Sequence, residues 1–146
     1  MAESENNLSE AGEERVELSD VQWRARLSPE QYHVLREKGT DPPFAGVFTH
    51  PGPDGIYRCA ACGAELFDST VQFDSGSGWP SFSEPLVAES VELHEDTSHG
   101  MVRTEVTCRR CGGHLGHVFD DGPGPTGARW CINSTSLDLG ERPPAR

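Results

Sequence analysis

Four of the chain's five cysteines sit in two copies of one device, Cys59-Ala-Ala-Cys62-Gly and Cys108-Arg-Arg-Cys111-Gly. A two-residue gap lets both thiolates of a tight turn face one ion, and the glycine that follows relaxes the backbone. Two such turns supply a tetrahedral sulfur set. That suits one structural zinc ion, with no position left open for substrate. The 45 residues between Cys62 and Cys108 exceed the spacing of a zinc ribbon, so the ion is expected to clip two distant parts of the fold. The rival readings are a redox-active Cys-x-x-Cys and a pair of disulfides. The flanks show no βαβ pattern for the first, and the N-terminus no secretory leader for the second.

Cys131 is left over, in Arg129-Trp130-Cys131-Ile132-Asn133. Read as strand, this places Arg129, Cys131 and Asn133 on one face and Trp130 and Ile132 on the other. A cation beside a thiol favours the thiolate and lowers its pKa, which makes a cysteine nucleophilic. The plain alternative is a buried cysteine packing as a small hydrophobe. His114-Leu-Gly-His117 offers two imidazoles that face opposite ways on a regular strand. They converge only if Gly116 marks a bulge or bend; otherwise one is a surface histidine and one a packing histidine. Gly76-Ser77-Gly78-Trp79-Pro80 presents Trp79 on a loop, either as a core plug or as an aromatic wall for a ligand.

These groups need a frame, and the frame reads as mainly β. Ser19 and Gln22 fit a capping box for a short helix through Trp23, and Ser28-Pro29-Glu30-Gln31 opens a second helix. The second helix is expected to end with Gly39 at C′, before Asp41-Pro42-Pro43 begins an extended segment. Strands are predicted over Gly55 to Arg58, Ala64 to Phe67, Met101 to Thr107, His114 to Phe119 and Arg129 to Leu137. In the third of these, Val102, Thr104 and Val106 alternate onto one face. A Gly/Pro loop, Asp120 to Gly127, separates the last two. The frame is thus a small helical N-terminus followed by antiparallel β structure.

Length and charge bound the rest. With 146 residues there is room for one domain, and 16 glycines with 11 prolines favour short strands and turns over a helical bundle. The net charge of -12 argues against nucleic acid, which needs clustered Lys and Arg. No long apolar run suggests a membrane span. Residues 1–20 carry seven acids against Arg15, a net of -6, and are read as a solvated disordered tail. The domain is then expected at 21–140, with 141–146 a flexible C-terminus and the cytoplasm as the compartment.

Taken together these motifs resemble methionine-R-sulfoxide reductases of the B type. The resemblance runs from about Trp23 to Leu139. It covers Cys59-x-x-Cys62, Ser75-Gly-Ser-Gly-Trp-Pro-Ser-Phe82, Ser98-His-Gly-Met-Val-Arg-Thr-Glu105, Cys108-x-x-Cys111, His114-Leu-Gly-His-Val-Phe119 and Arg129-Trp-Cys-Ile-Asn-Ser134. It implies two antiparallel sheets (a β-tent) with N-terminal helices, and zinc on Cys59, Cys62, Cys108 and Cys111. It implies Cys131 as nucleophile and Trp79 as the wall for the substrate methyl. His114, His117 and Asn133 would be the polar groups around the sulfoxide, Arg129 the basic residue beside the thiol, and His99 a further substrate contact. The implied activity is reduction of the R epimer of methionine sulfoxide, in oxidised proteins and as a further candidate in the free amino acid, through a Cys131 sulfenic acid; the chain is expected to be a monomer.

One position departs from many relatives, which carry a resolving cysteine just before Gly-Trp-Pro; here it is Ser77. The resemblance therefore points to a one-cysteine enzyme regenerated by thioredoxin or a small thiol. The rival functions are a zinc module that binds another protein, and a cysteine hydrolase with a histidine base.

Overall fold

The computed structural model describes residues 15–141, the side chain of His99 excepted. Helix α1 (Asp20–Arg26) and helix α2 (Pro29–Glu37) each open with the expected reciprocal capping box, Ser19 with Gln22 and Ser28 with Gln31. Both box partners satisfy N–H groups that a helix start leaves orphaned. The helices bury Trp23 and Leu35 against the β structure, and the Arg36 guanidinium lies 4.7 Å over the Trp23 ring. The left-handed residue that ends α2 is Lys38 (φ 60°), not Gly39. Gly39 is instead pressed against the His33 imidazole, which a Cβ would strike. Nor is the Asp41-Pro42-Pro43 segment extended. It folds into a turn in which Ala45 N–H donates to the Pro42 carbonyl and Phe44 takes φ 64°.

Among the described residues nine strands follow, all antiparallel, in two sheets. Strands β1 (Ile56–Cys59), β2 (Glu65–Asp68) and β9 (Leu137–Gly140) form a three-stranded sheet in the order β9-β1-β2. The larger sheet holds β3 (Gln72–Phe73), β4 (Ser81–Phe82), β5 (Val91–Asp96), β6 (Arg103–Cys108), β7 (His114–Phe119) and β8 (Arg129–Ile132). Its order is β3-β4-β8-β7-β6-β5, which puts the Cys131 strand in the interior of the sheet. One buried cluster joins the sheets and helices through Trp23, Leu35, Phe67, Phe82, Leu115 and Ile132. Phe67 and Phe82 stack at 4.4 Å across the two sheets.

The expected strand Arg129 to Leu137 is two strands in different sheets. β8 stops at Ile132, a 3-10 turn over Ser134–Ser136 redirects the chain, and β9 pairs Leu137 with Cys59. The break falls at Asn133, whose buried side chain is engaged by two backbone groups described below. Val102 precedes β6 and is exposed rather than sharing the Val106 core face. The disordered tail expected over 1–20 also needs correction where it is described. Val16 N–H donates to the Arg110 carbonyl at 2.7 Å, Val16 and Leu18 pack on the core, and α1 begins at Asp20. Short apolar side chains thus anchor residues 16–20 despite their charge; residues 1–14 and 142–146 lie outside the described residues. Gly140, the last residue of the expected domain, pairs with Ile56. No helix among the described residues is long and apolar enough to cross a membrane.

Candidate active site

Cys131 lies between Ser81 of β4 and His117 of β7 in the sheet register. Its strand alternates as expected, with Ile132 in the core and Arg129 and Cys131 lining a cleft of ≈ 230 Å³. Trp79, His117, Phe119 and Asn133 line the same cleft. The two-residue offset that brings His114 and His117 together comes from a bulge: Val106 pairs with Gly116 while Thr107 pairs with His114, leaving Leu115 extra. A bulge resets the alternation by one residue, so both imidazoles reach one side, with ring centroids 5.6 Å apart. Gly116 is required for a second reason. A Cβ there would sit 2.0 Å from the Cys131 carbonyl oxygen.

Each imidazole is backed by a carboxylate. His117 Nε2 donates to Asp96 Oδ2 at 2.7 Å, and His114 Nδ1 donates to Glu105 Oε2 at 2.7 Å. Asp96 also accepts the Ser98 N–H and lies 3.6 Å from the Arg103 guanidinium. The bonds from His117 and Ser98 hold its carboxyl well below the usual carboxylate range. His114 is fully buried and lies behind His117, lining an adjoining cavity rather than the Cys131 cleft. Burial pushes its pKa down, with Glu105 opposing.

Trp79 is held by its indole N–H, which donates to the Asp41 carbonyl at 2.8 Å. Asp41 N–H in turn donates to Asn133 Oδ1, and Asn133 Nδ2 donates to the Leu115 carbonyl at the bulge. The amide of Asn133 is thereby occupied at both ends, which suits a positioning role. Arg129 stacks over Phe119 at 4.6 Å and pairs with Asp121 at 2.9 Å. The lowered thiol pKa expected for Cys131 is not what results. Ser77 and Arg129 pull it down, but burial outweighs both and pushes the thiol up. The backbone of His99 lies in a 3-10 turn directly after Asp96 and Thr97; its side chain lies outside the described residues.

The four knuckle cysteines converge. Their sulfurs all lie within 4.8 Å of one another, with Cys59 to Cys111 and Cys62 to Cys108 both at 3.6 Å. Tetrahedral thiolates at about 2.3 Å from one ion would sit roughly 3.8 Å apart, so the spacing can hold a metal ion. Cys59 closes β1 and Cys108 closes β6, so such an ion would join the two sheets. In each knuckle the following glycine takes positive φ and its N–H bonds back to the first cysteine's carbonyl.

Residues 27–141 match the SelR domain. The chain is 62% identical over 121 residues to the peptide methionine sulfoxide reductase MsrB of Thiobacillus denitrificans, covering 83% of this chain and 92% of that protein. It is 58% identical over 127 residues to the protein of the same name from Bradyrhizobium diazoefficiens, covering 87% and 91%. A third, from Methanosarcina mazei, is 58% identical over 123 residues, covering 84% and 88%.

The chain belongs to the MsrB family.

Within this MsrB domain, the cleft brings together Cys131, His117, Arg129, Asn133 and Trp79, and leaves His114 one layer behind. Sequence reasoning missed Asp96, Glu105 and Asp41. Glu105 carried a signal, because in the alternating run Arg103-Thr104-Glu105 its carboxylate faces the histidine strand. Asp96 closes β5, whose run Val-Glu-Leu-His-Glu-Asp is too polar to stand out as strand. Asp41 had none; it reaches the site through a turn and a backbone carbonyl.

Proposed function

We propose that this MsrB-family chain reduces methionine sulfoxide, the R epimer, in oxidised polypeptides. The observation that carries this reading is the single cleft in which the Cys131 sulfur faces a fixed indole on one side and a carboxylate-backed imidazole on another. The Cys131 thiolate attacks the sulfoxide sulfur while His117, with Asp96 on its far nitrogen, donates a proton to the sulfoxide oxygen. Oxygen passes to Cys131, methionine leaves, and Cys131 is a sulfenic acid, oxidised by two electrons as the substrate is reduced by two. Trp79 holds the methyl by apolar contact and, as the sulfur gains cationic character, by cation–π attraction. Methyl toward the indole and oxygen toward the imidazole admit one epimer.

The knuckle sulfurs suit zinc in a structural role, with four protein ligands and no open position. All four are spoken for, and the group nearest Cys131 where a resolving thiol would stand is the Ser77 hydroxyl, 3.9 Å away. The sulfenic acid is therefore reduced by external thiols. One thiol displaces water to form a mixed disulfide; a second, such as thioredoxin's partner cysteine or another small thiol, releases Cys131 and leaves with the disulfide. His114 acts by supporting His117, and Arg129 by favouring the thiolate. The test is epimer-resolved loss of methionine sulfoxide with dithiothreitol in metal-loaded protein. Consumption of the R epimer alone supports the reading, and turnover of neither epimer overturns it.

A further inference from the structure

Three serines around the Trp79 loop form a hydrogen-bonded series that ends at the sulfur. Ser81 Oγ lies 2.8 Å from Ser75 Oγ and 3.1 Å from the Trp79 carbonyl; Ser75 Oγ lies 2.7 Å from Ser77 Oγ; Ser77 Oγ lies 3.9 Å from Cys131 Sγ. A hydroxyl offers one proton and two acceptor sites. Ser77 Oγ accepts from the Ser75 hydroxyl and from Trp79 N–H, which fills both of its acceptor sites. Ser75 Oγ gives its proton to Ser77 and accepts Ser77 N–H, so its remaining site takes the Ser81 proton at 2.8 Å, which Ser81 shares with the Trp79 carbonyl at 3.1 Å. The only freedom left to Ser77 is to donate, and the acceptor in reach is Cys131.

We propose that Ser81, Ser75 and Ser77 form a one-way hydroxyl chain that aims the Ser77 proton at the Cys131 sulfur, with Ser75 and Ser81 as positioning residues. The inference builds on the reading of Cys131 as nucleophile and assigns to the Ser77 position a role other than resolution. Ser81 is fully buried and sits opposite Cys131 in the sheet, so the chain is anchored to the strand pair that carries the sulfur. A charged sulfur accepts a hydrogen bond more strongly than a neutral thiol, so the device favours thiolate against the burial of the site. The other charged or titratable groups facing this region are Asp74 of the same loop with its partner His50, Arg129 with its partner Asp121, His117 from β7, and Arg103 at the cleft wall.

The test is the pH dependence of Cys131 alkylation by iodoacetamide in metal-loaded protein, read at the Cys131 peptide by mass spectrometry. It needs no sulfoxide turnover, so its failure is separable from failure of the reductase reading. Ser77→Ala, Ser75→Ala and Ser81→Ala should each raise the midpoint, slowing alkylation at pH 7 by roughly three- to tenfold. Ser77→Thr, which keeps the hydroxyl, should restore it. The Ser75→Ala/Ser77→Ala double variant should be no slower than Ser77→Ala alone, because both break one chain. An unchanged midpoint in Ser75→Ala, or additive effects in the double variant, would overturn the proposal. Should Ser81→Ala not fold, the partly exposed Ser75 decides the matter alone.

Discussion

The indole N–H of Trp79 donates to the carbonyl of Asp41, 2.8 Å away, and so ties the wall of the cleft to a turn 38 residues earlier. That turn is fixed by Asn133, which accepts the Asp41 N–H and donates to the Leu115 carbonyl beside the histidine bulge. Three separate segments, one carrying the indole, one the imidazoles and one the sulfur, are registered through a single buried amide.

Asn133→Ala should therefore affect both fold and cleft. It leaves the Asp41 N–H unpaired in a buried site, which costs about 1–3 kcal/mol, while the Leu115 carbonyl keeps the backbone N–H of residue 133. We expect a lower denaturant midpoint with unchanged slope. Once Trp79 is loosened, KM for a sulfoxide peptide should rise more than kcat falls. Steady-state kinetics with denaturant unfolding checks both.

Asp96 gives an acid-side expectation. Its carboxyl is held below the usual range by His117 and Ser98, so it contributes stability above the unfolded value of about 4 and loses it as pH falls toward the folded value. Asp96→Asn should flatten the fall in denaturant midpoint below about pH 4. At neutral pH the same variant, which no longer backs the imidazole, should lower kcat by roughly ten- to a hundredfold.

Cys131 gives the opposite limb. Burial raises its thiol, so with the reductant saturating, kcat/KM should climb from pH 7 through 9. Arg129 pulls the other way, and Arg129→Met should move the rise further upward. The loss at pH 7 should be roughly three- to tenfold and should shrink at high pH.

The knuckles give a stability expectation. An ion joining β1 to β6 links two sheets that otherwise meet through side-chain packing. Chelation or Cys111→Ser should remove one metal equivalent per chain and lower the melting temperature by at least about 10 °C. Metal analysis alongside circular dichroism reports both.

The legible features were those written in local chemistry. Ser19 with Gln22 and Ser28 with Gln31 announce their helices because a capping box is a four-residue event. The knuckles announce a shared site because both ligands of each lie in one turn. The alternation around Cys131 was legible too, and Gly116 marked the bulge within one residue. What stayed hidden depends on tertiary contact. The two-residue strands β3 and β4 have no pattern to read. The switch of sheets after Ile132 follows from what Asn133 meets across space. The net direction of the Cys131 pKa depends on burial, which adjacency to Arg129 does not reveal.

The most direct measurement is a single turnover without reductant. Metal-loaded protein is mixed with a peptide containing the R epimer of methionine sulfoxide, and the peptide and the intact protein are weighed together. We expect one equivalent of methionine per chain, one oxygen gained at Cys131, and no intramolecular disulfide. Methionine formed while Cys131 stays unmodified, or a disulfide linking Cys131 to a knuckle cysteine, would contradict the account.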